Sequence, residues 1–344
     1  KQRPLFTIFN TVGSLLGMGA MQFFAPILAK NYEGGYASAG FFRTLAPVGI
    51  VISILLTLLA VIAIAPKDRP EFFGTGKPVK VGLKDYWDTL KNNRAIQMLI
   101  LSASTDKLGS SAKSSAVMVA MFACIAGSTV LQGNVTALTT IPSVIVTFLA
   151  ISLVATKFGQ RKAMIIGSVG GLVVNALTIA LWLLGDPTTM TSDPAKGTLN
   201  WGYFLILHVG LSIIYAGFQG ISGNIVIPMT ADCADYEVYR SGKYVPGLMG
   251  TLFSFVDKLV SSFAPMIAGV MFTICGFADH NPVEGDVATM KLRIGCAFCY
   301  SGIIMIGLLC NLIAMKFYPL TKEKMAEIQD EVAAIKMKAM AENA

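Results

Sequence analysis

Three ionisable side chains, Asp106, Lys107 and Lys113, stand inside one long apolar segment of the sequence. An ionisable group within a membrane-spanning helix costs roughly 2.5 to 3.5 kcal/mol on insertion scales, so such residues are functional candidates. Asp106 and Lys107 are adjacent and diverge by about 100° around a helix, whereas Asp106 and Lys113 share nearly the same face. Two interpretations stay open: a water-lined face within a solute path, or an internal charge pair that locks helices together.

A second pair, Asp257 and Lys258, lies among phenylalanine, valine and leucine residues, with only nearby serine hydroxyls to solvate it. A lysine buried in this way needs a partner. Lys258 could bind solute hydroxyls, pair with a carboxylate of another segment, or change its protonation state during a cycle. The alternative is a lysine that extends its ammonium group toward the membrane surface.

A third polar group, Gln219, Ser222 and Asn224, lies in a segment that also holds several glycines and Pro228. Amide side chains both donate and accept hydrogen bonds, which suits the hydroxyl groups of a sugar. Glycine and proline favour bending and close packing. The segment could therefore serve gating, or it could form a tight interface between helices.

These residues must be positioned by membrane-spanning helices. Hydrophobic residues make up 54% of the 344 residues and charged residues 14%, with a mean hydropathy of +0.64, whereas a soluble domain carries roughly 25% charged residues. Crossing a hydrocarbon core takes about 20 helical residues. Eight apolar runs are long enough: 4 to 29, 37 to 65, 96 to 127, 131 to 156, 163 to 185, 201 to 229, 246 to 276 and 293 to 318. The sequence predicts an all-α membrane protein, since no barrel-like alternation is present.

The net charge of +7 is concentrated in alternate loops. Lysine and arginine gather before span one, between spans two and three, and after spans four, six and eight. The positive-inside rule then places both ends of the chain in the cytoplasm. The same distribution argues against a nucleic-acid partner and for contact with membrane lipid. The six cysteines lie in or beside apolar runs, which is typical of reduced packing residues.

The longest polar connection, residues 67–94, contains an amphipathic stretch from Val79 to Leu90 that is typical of a helix lying on the membrane surface. Two spans precede it and six follow. Transporters of the major facilitator type have two six-helix halves joined by a long cytoplasmic loop. Residues 1–66 are therefore predicted to end an N-terminal half whose first four spans are absent from this sequence, and residues 95–318 to form the complete C-terminal half. Residues 319–344 are predicted to form a cytoplasmic tail helix.

The segment that begins at Pro228 reads PMTADCADYEVYRSGKYVPGLMGTLFSFVDKLVSSFAP and resembles the glycoside-pentoside-hexuronide:cation symporters, the melibiose carrier family. The family pattern is Ala-Asp, two residues, Asp-Tyr, a basic turn and a helix with a lysine. The matching residues here are Ala231, Asp232, Asp235, Tyr236, Arg240, Lys243 and Lys258. The stretch KFGQRKAMIIG at 157–167 is similar to the family's eighth-to-ninth connection, and the whole chain is similar to spans five to twelve of twelve.

The resemblance implies that Lys258 lines a sugar cavity. It also implies a gating charge network at the cytoplasmic end of span ten, with these members: Asp232, Asp235, Tyr236, Arg240, Arg161 and Lys162. Two departures disfavour melibiose itself, because Asn10 and Gly223 stand where melibiose-type members have an arginine and an aromatic residue. The coupling carboxylates of the family lie on its second and fourth spans, so a site for Na⁺ or H⁺ is expected outside this sequence.

The resulting hypothesis is a monomeric secondary transporter of a bacterial-type inner membrane, which moves a sugar or glycoside together with a cation by alternating access. Its expected substrate-binding residues are Lys258, Asn10, Gln219, Asn224 and Asp106. A lipid or lysolipid carrier of the same fold and a non-transporting membrane sensor are the alternatives. An enzyme is disfavoured, because the sequence has no nucleophile elbow or metal-spaced histidine cluster and only two histidines, His208 and His280. No cofactor and no metal site are predicted.

Overall fold

The computed structural model describes residues 38–67, 82–114, 116–242 and 246–342, together with separate positions between 13 and 32. From residue 38 onward its helices are α1 Ala39–Ile64, α2 Leu83–Asn92, α3 Arg94–Lys113, α4 Ala116–Ala120, α5 Thr129–Ala150, α6 Gln160–Leu184, α7 Tyr203–Ser241, α8 Pro246–Ser261, α9 Ala264–Ile274, α10 Met290–Ala297, α11 Ile303–Phe317 and α12 Lys322–Glu342. Shorter helical pieces are Ala65–Lys67, Thr156–Phe158, Pro187–Met190 and the π-helical turns Met121–Ile125, Ile151–Ala155 and Phe298–Gly302. Strands β1 Thr191–Asp193 and β2 Thr198–Leu199 pair antiparallel.

Seven helical segments within the described ranges are long and apolar enough to cross a membrane. They are Ala39–Ile64, Arg94–Ile125, Thr129–Val154, Gln160–Leu184, Tyr203–Ser241, Gly247–Ile274 and Met290–Phe317. They confirm seven of the predicted spans and the all-α class, so the chain is an integral membrane protein. The first predicted span, 4 to 29, falls largely outside the described residues.

Helix α7 is longer than predicted, because it continues past residue 229 to Ser241 through a polar stretch. Asp232, Asp235 and Glu237 are all buried in this extension. The helix ends at Gly242, whose φ of 71° is the left-handed conformation that glycine adopts without strain. A prediction from hydropathy ends this helix too early, because a hydropathy scale scores each carboxylate as exposed to water even where neighbouring helices bury it.

Helices α3 and α11 cross at close range because each contributes a glycine to the contact. A Cβ atom on Gly109 would lie 2.7 Å from the Cα of Ile304, and one on Gly307 would lie 2.7 Å from the Thr105 carbonyl oxygen. Small residues are the usual means by which membrane helices approach closely. The crossing fixes the part of α3 that carries Asp106.

The bundle has two ends, here called the hairpin end and the Glu237 end. At the hairpin end, β1 and β2 connect α6 to α7, and the Asn134 amide donates to the Gly197 carbonyl at 2.8 Å. At the Glu237 end, α7 terminates beside the start of α3. From Arg94 onward, successive spans run in opposite directions between these ends.

The surface helix and the tail helix are both present. Helix α2 overlaps the amphipathic stretch predicted from Val79, and the indole of its Trp87 is exposed. In α12, Met325, Ile328 and Val332 are buried against the core, as their spacing predicted. The side chain of Ile335, the fourth residue of that predicted stripe, lies outside the described residues. The tail helix therefore packs onto the Glu237 end of the bundle.

Replacing Gly307 by alanine tests the close crossing of α3 and α11. The added methyl group meets backbone atoms of α3, and overpacking of this kind costs about 1 to 3 kcal/mol. We expect a lower midpoint of thermal unfolding for the purified protein in detergent. The matched control is Gly250→Ala in α8, where an added Cβ has nothing within 4 Å and helix propensity favours alanine. Equal midpoints for the two variants would contradict the close crossing.

Candidate functional site

Two adjoining cavities, each of about 410 Å³, lie between the helices of the described bundle. The first, called the carboxylate cavity, is bounded by α3, α7 and α8 and includes Asp106, Lys107, Gln219, Asn224 and Asp257. The second, called the hydroxyl cavity, is bounded by α3, α5, α7 and the turn Phe298–Gly302. Met18, Lys107, Ser110 and Gln219 line both, so the two cavities adjoin, and polar groups project into each from largely apolar walls.

The carboxylate cavity holds two acidic groups and one lysine. Asp106 is 8% exposed, Asp257 is half-buried, and the Lys107 ammonium interacts electrostatically with both carboxylates. Neither carboxylate forms an ion pair within 4 Å with another described residue. The negative charge of Asp106 is thus only loosely balanced, in surroundings where an unbalanced charge is expensive.

In the hydroxyl cavity, the Lys113 ammonium lies between two tyrosine rings. Its Nζ is 4.4 Å from the ring centroid of Tyr215 and 4.5 Å from that of Tyr300. A cation over an aromatic face is attracted by the negative face of the ring. Across the described residues Lys113 has no carboxylate within 4 Å, so it can accept an anionic ligand while the rings hold its charge in place.

Helix α5 presents hydroxyl groups to the same cavity, on one helical face: Thr136, Thr139, Thr140 and Ser143. The three threonine hydroxyls donate to carbonyl oxygens of the preceding helical turn at 2.7 to 3.0 Å. Their oxygen lone pairs remain available as acceptors. This wall can accept hydrogen bonds from the hydroxyl groups of a polyol.

His208 closes the hydroxyl cavity on the side of an aromatic cluster formed with Phe122, Trp182 and Phe204. The indole Nε1 of Trp182 donates to His208 Nδ1 at 3.2 Å. Indole only donates, so Nδ1 must accept, and a neutral His208 then carries its proton on Nε2. The Nε2–H group of His208 therefore gives this side of the hydroxyl cavity a hydrogen-bond donor.

The structure brings together three of the five predicted substrate-binding residues. Asp106, Gln219 and Asn224 line the carboxylate cavity, while Asn10 lies outside the described residues. Lys258 is exposed and belongs to the lining of neither cavity, whereas its neighbour Asp257 does line one. The two side chains diverge by about 100° on α8, so the face that directs Asp257 into the cavity directs Lys258 elsewhere.

At the Glu237 end, the charged residues have partners that the sequence did not predict. Arg240 Nη2 lies 2.7 Å from Glu237 Oε1, and the Asn93 amide donates to Glu237 Oε2 at 2.9 Å. Arg161 donates to the carbonyl oxygen of Met315 at 2.8 Å, where it caps the end of α11. Asp232 and Asp235 are buried, Lys162 is exposed, and Tyr236 stacks on Tyr239 with the ring centroids 6.3 Å apart. Glu237 therefore joins α7 to the start of α3.

Several functional candidates escaped the sequence analysis. The sequence does not mark Tyr215 and Tyr300 as functional candidates, because single tyrosines are common in apolar spans. The hydroxyl face of α5 did carry a signal: Thr136, Thr139, Thr140 and Ser143 follow one another at helical spacings of three and four within an apolar run. Polar periodicity inside a span could have identified that wall.

The fold and the cavities are those of a helical membrane protein with polar side chains gathered between its spans. The chain belongs to the MFS/sugar transport protein family, whose family model matches residues 1–322. Over 124 residues it is 28% identical to the glucuronide carrier protein homolog of Escherichia coli strain K12, and the match covers 36% of this chain and 26% of that protein. The chain thus spans about a quarter of that relative's length. These findings confirm the resemblance to the sugar symporters.

Replacing Glu237 by alanine tests the contact between α7 and α3. The change leaves Arg240 and Asn93 without their acceptor, which costs about 1 to 3 kcal/mol for a buried group. The matched control is Glu327→Ala on α12, which removes an ion pair with Lys324 of the same i,i+3 spacing at the surface and costs roughly 0 to 1 kcal/mol. Thermal unfolding in detergent compares the two. A loss no larger for Glu237→Ala than for Glu327→Ala would show that Glu237 does not join the helices.

Proposed function

We infer that the chain forms part of a secondary active transporter that carries a sugar or glycoside by alternating access, in symport with a cation. The observation that carries this proposal is the pair of adjoining cavities between α3, α5, α7 and α8, into which charged, amide and hydroxyl groups project. Substrate sites of such transporters lie near mid-membrane between helices. Hydroxyl acceptors on one wall and amide groups on another supply the mixed hydrogen bonding that a polyol needs.

Within the sugars, a hexuronide fits best. A hexuronide carries a carboxylate, and Lys113 offers an ammonium group whose charge no described carboxylate neutralises within 4 Å. The aromatic faces of Tyr215 and Tyr300 hold this ammonium beside the threonine wall. The similarity to a protein named for glucuronide transport supports the same class.

The remaining parts of the proposal follow from charge distribution and family. The bias of lysine and arginine along the chain supports cytoplasmic ends in a bacterial-type inner membrane. A monomer and a small-molecule sugar partner fit this class of transporter. A lipid or lysolipid carrier is the alternative, because apolar side chains also line both cavities; the lysine and threonine groups favour a sugar acid.

Replacing Lys113 by glutamine tests the substrate assignment. Removing a charge-assisted hydrogen bond costs about 1.5 to 3 kcal/mol, which corresponds to roughly 10-fold to 100-fold weaker binding. We expect uptake of a labelled glucuronide to lose affinity by this factor, and uptake of the matching neutral glucoside to change much less. The measurement is initial-rate uptake into proteoliposomes that contain the full-length protein.

Lys196→Gln is the matched control, because Lys196 has an exposed side chain in the hairpin between α6 and α7. It should leave uptake of both sugars unchanged. An equal loss for glucuronide and glucoside in Lys113→Gln would remove Lys113 from recognition of the carboxylate. No uptake of any glycoside, pentoside or hexuronide by the unaltered protein would refute sugar transport.

A further inference from the structure

Asp106 is a buried carboxylate without an ion pair among the residues that the structure describes. It lies within α3, its residue surface is 8% exposed, and it lines the carboxylate cavity. Among the described residues it also has no hydrogen-bond partner. A carboxylate so placed can meet water in the cavity.

The titratable groups around Asp106 come from three elements besides its own. Helix α3 itself contributes Lys107, and α8 contributes Asp257 across the cavity. On α7 the interacting group is Tyr215, whose ring contacts the Lys113 ammonium, as does that of Tyr300 in the turn before α11. Lys258 lies near Asp257 but outside the cavity lining. Where α11 crosses α3, it presents the neutral residues Ile304 and Gly307.

Within the lining of the carboxylate cavity, two carboxylates face one lysine, and Lys258 acts on Asp257 from outside that lining. Asp257 is half-buried and has both lysines near it, whereas Asp106 is buried and has only Lys107, whose residue is exposed. Asp106 is therefore the less compensated acid, and a cation that enters from the aqueous side of the cavity would neutralise it. The nearby ammonium group repels a metal cation, whereas a proton removes the charge at the carboxylate oxygen itself.

We propose that Asp106 binds and releases one proton in each transport cycle, so that the described spans contain a proton-coupling site of their own. The proposal rests on the proposed function, because a proton site couples to transport only if the protein carries a sugar. In the binding step a proton from water joins a carboxylate oxygen of Asp106, and Lys107 is left to balance Asp257. In the release step the same O–H bond breaks, the proton returns to water, and Lys107 is again shared between the two acids.

The proton also links the two cavities. Lys107 lines both of them, so its position toward Asp257 or toward Asp106 alters the space that a solute meets. Protonated Asp106 becomes a hydrogen-bond donor, while ionised Asp106 only accepts. Proton binding therefore changes both the charge and the hydrogen-bonding capacity of the path.

Infrared difference spectroscopy of the full-length protein in lipid tests the site directly. A protonated carboxylic acid has a carbonyl-stretch band that disappears on ionisation. We expect a band that titrates with pH in the unaltered protein, is absent in Asp106→Asn, and is kept at a shifted position in Asp106→Glu. Asp257→Asn should keep the band, and Asp279→Asn, in an exposed loop, is the control that should keep the band at the same position with the same pH dependence.

A second measurement follows proton entry into proteoliposomes when a glucuronide gradient is imposed. Proton entry that accompanies the sugar in the unaltered protein and is lost in Asp106→Asn supports the proposal. A titrating band that survives in Asp106→Asn, or that vanishes only in Asp257→Asn, overturns it.

The two proposals fail in different ways. Sugar flux without any proton movement or titrating band refutes the proton site and leaves sugar transport intact. An Asp106-dependent titrating band in a protein that moves no sugar supports the proton site and refutes the sugar assignment.

Discussion

A charged or hydrogen-bonding side chain inside a hydrocarbon layer must find its partners within the protein, because lipid offers none. The described bundle meets this constraint in three ways. Glu237 is enclosed by Arg240 and Asn93 at one end, where it joins two helices. Lys113 rests between tyrosine faces. Asp106 and Asp257 face Lys107 in one cavity, and neither carboxylate has an ion pair within 4 Å among the described residues; this is where we propose that the proton binds.

In the proposed transport cycle, the two cavities have different roles. The hydroxyl cavity offers acceptors, an ammonium group and a histidine donor, which together match a polar sugar acid. The carboxylate cavity holds Asp106, the proposed proton site. Lys107 and Gln219 line both cavities. Helix α3 also lines both and crosses α11 closely at Gly109 and Gly307, so in this proposal protonation of Asp106 acts on the sugar through one helix.

The sequence alone predicted the membrane spans, which depend on hydropathy and length. It did not predict which side chains face the cavities, because tertiary contacts determine that. Seven spans were predicted to within a few residues, apart from the end of α7, where buried carboxylates such as Asp232 continue the helix. Asp257 and Lys258 are equally conspicuous in the sequence, yet only the orientation of α8 determines which one faces the cavity. The setting of Lys113 depends on two tyrosines 85 positions apart, Tyr215 and Tyr300, and no local pattern predicts their meeting.

The central claim is that the space lined by α5 is a water-filled path that holds the sugar. It is tested most directly by placing a cysteine at Thr139, in the hydroxyl wall, and another at Ile141, whose side chain is 65% exposed on the outer surface of the same helix. A hydrophilic thiol reagent should label Thr139→Cys, and a transported glucuronide should slow that labelling. Ile141→Cys, which faces lipid, should react little and show no protection. Labelling of Thr139→Cys that no sugar slows, or no labelling there at all, would contradict the account.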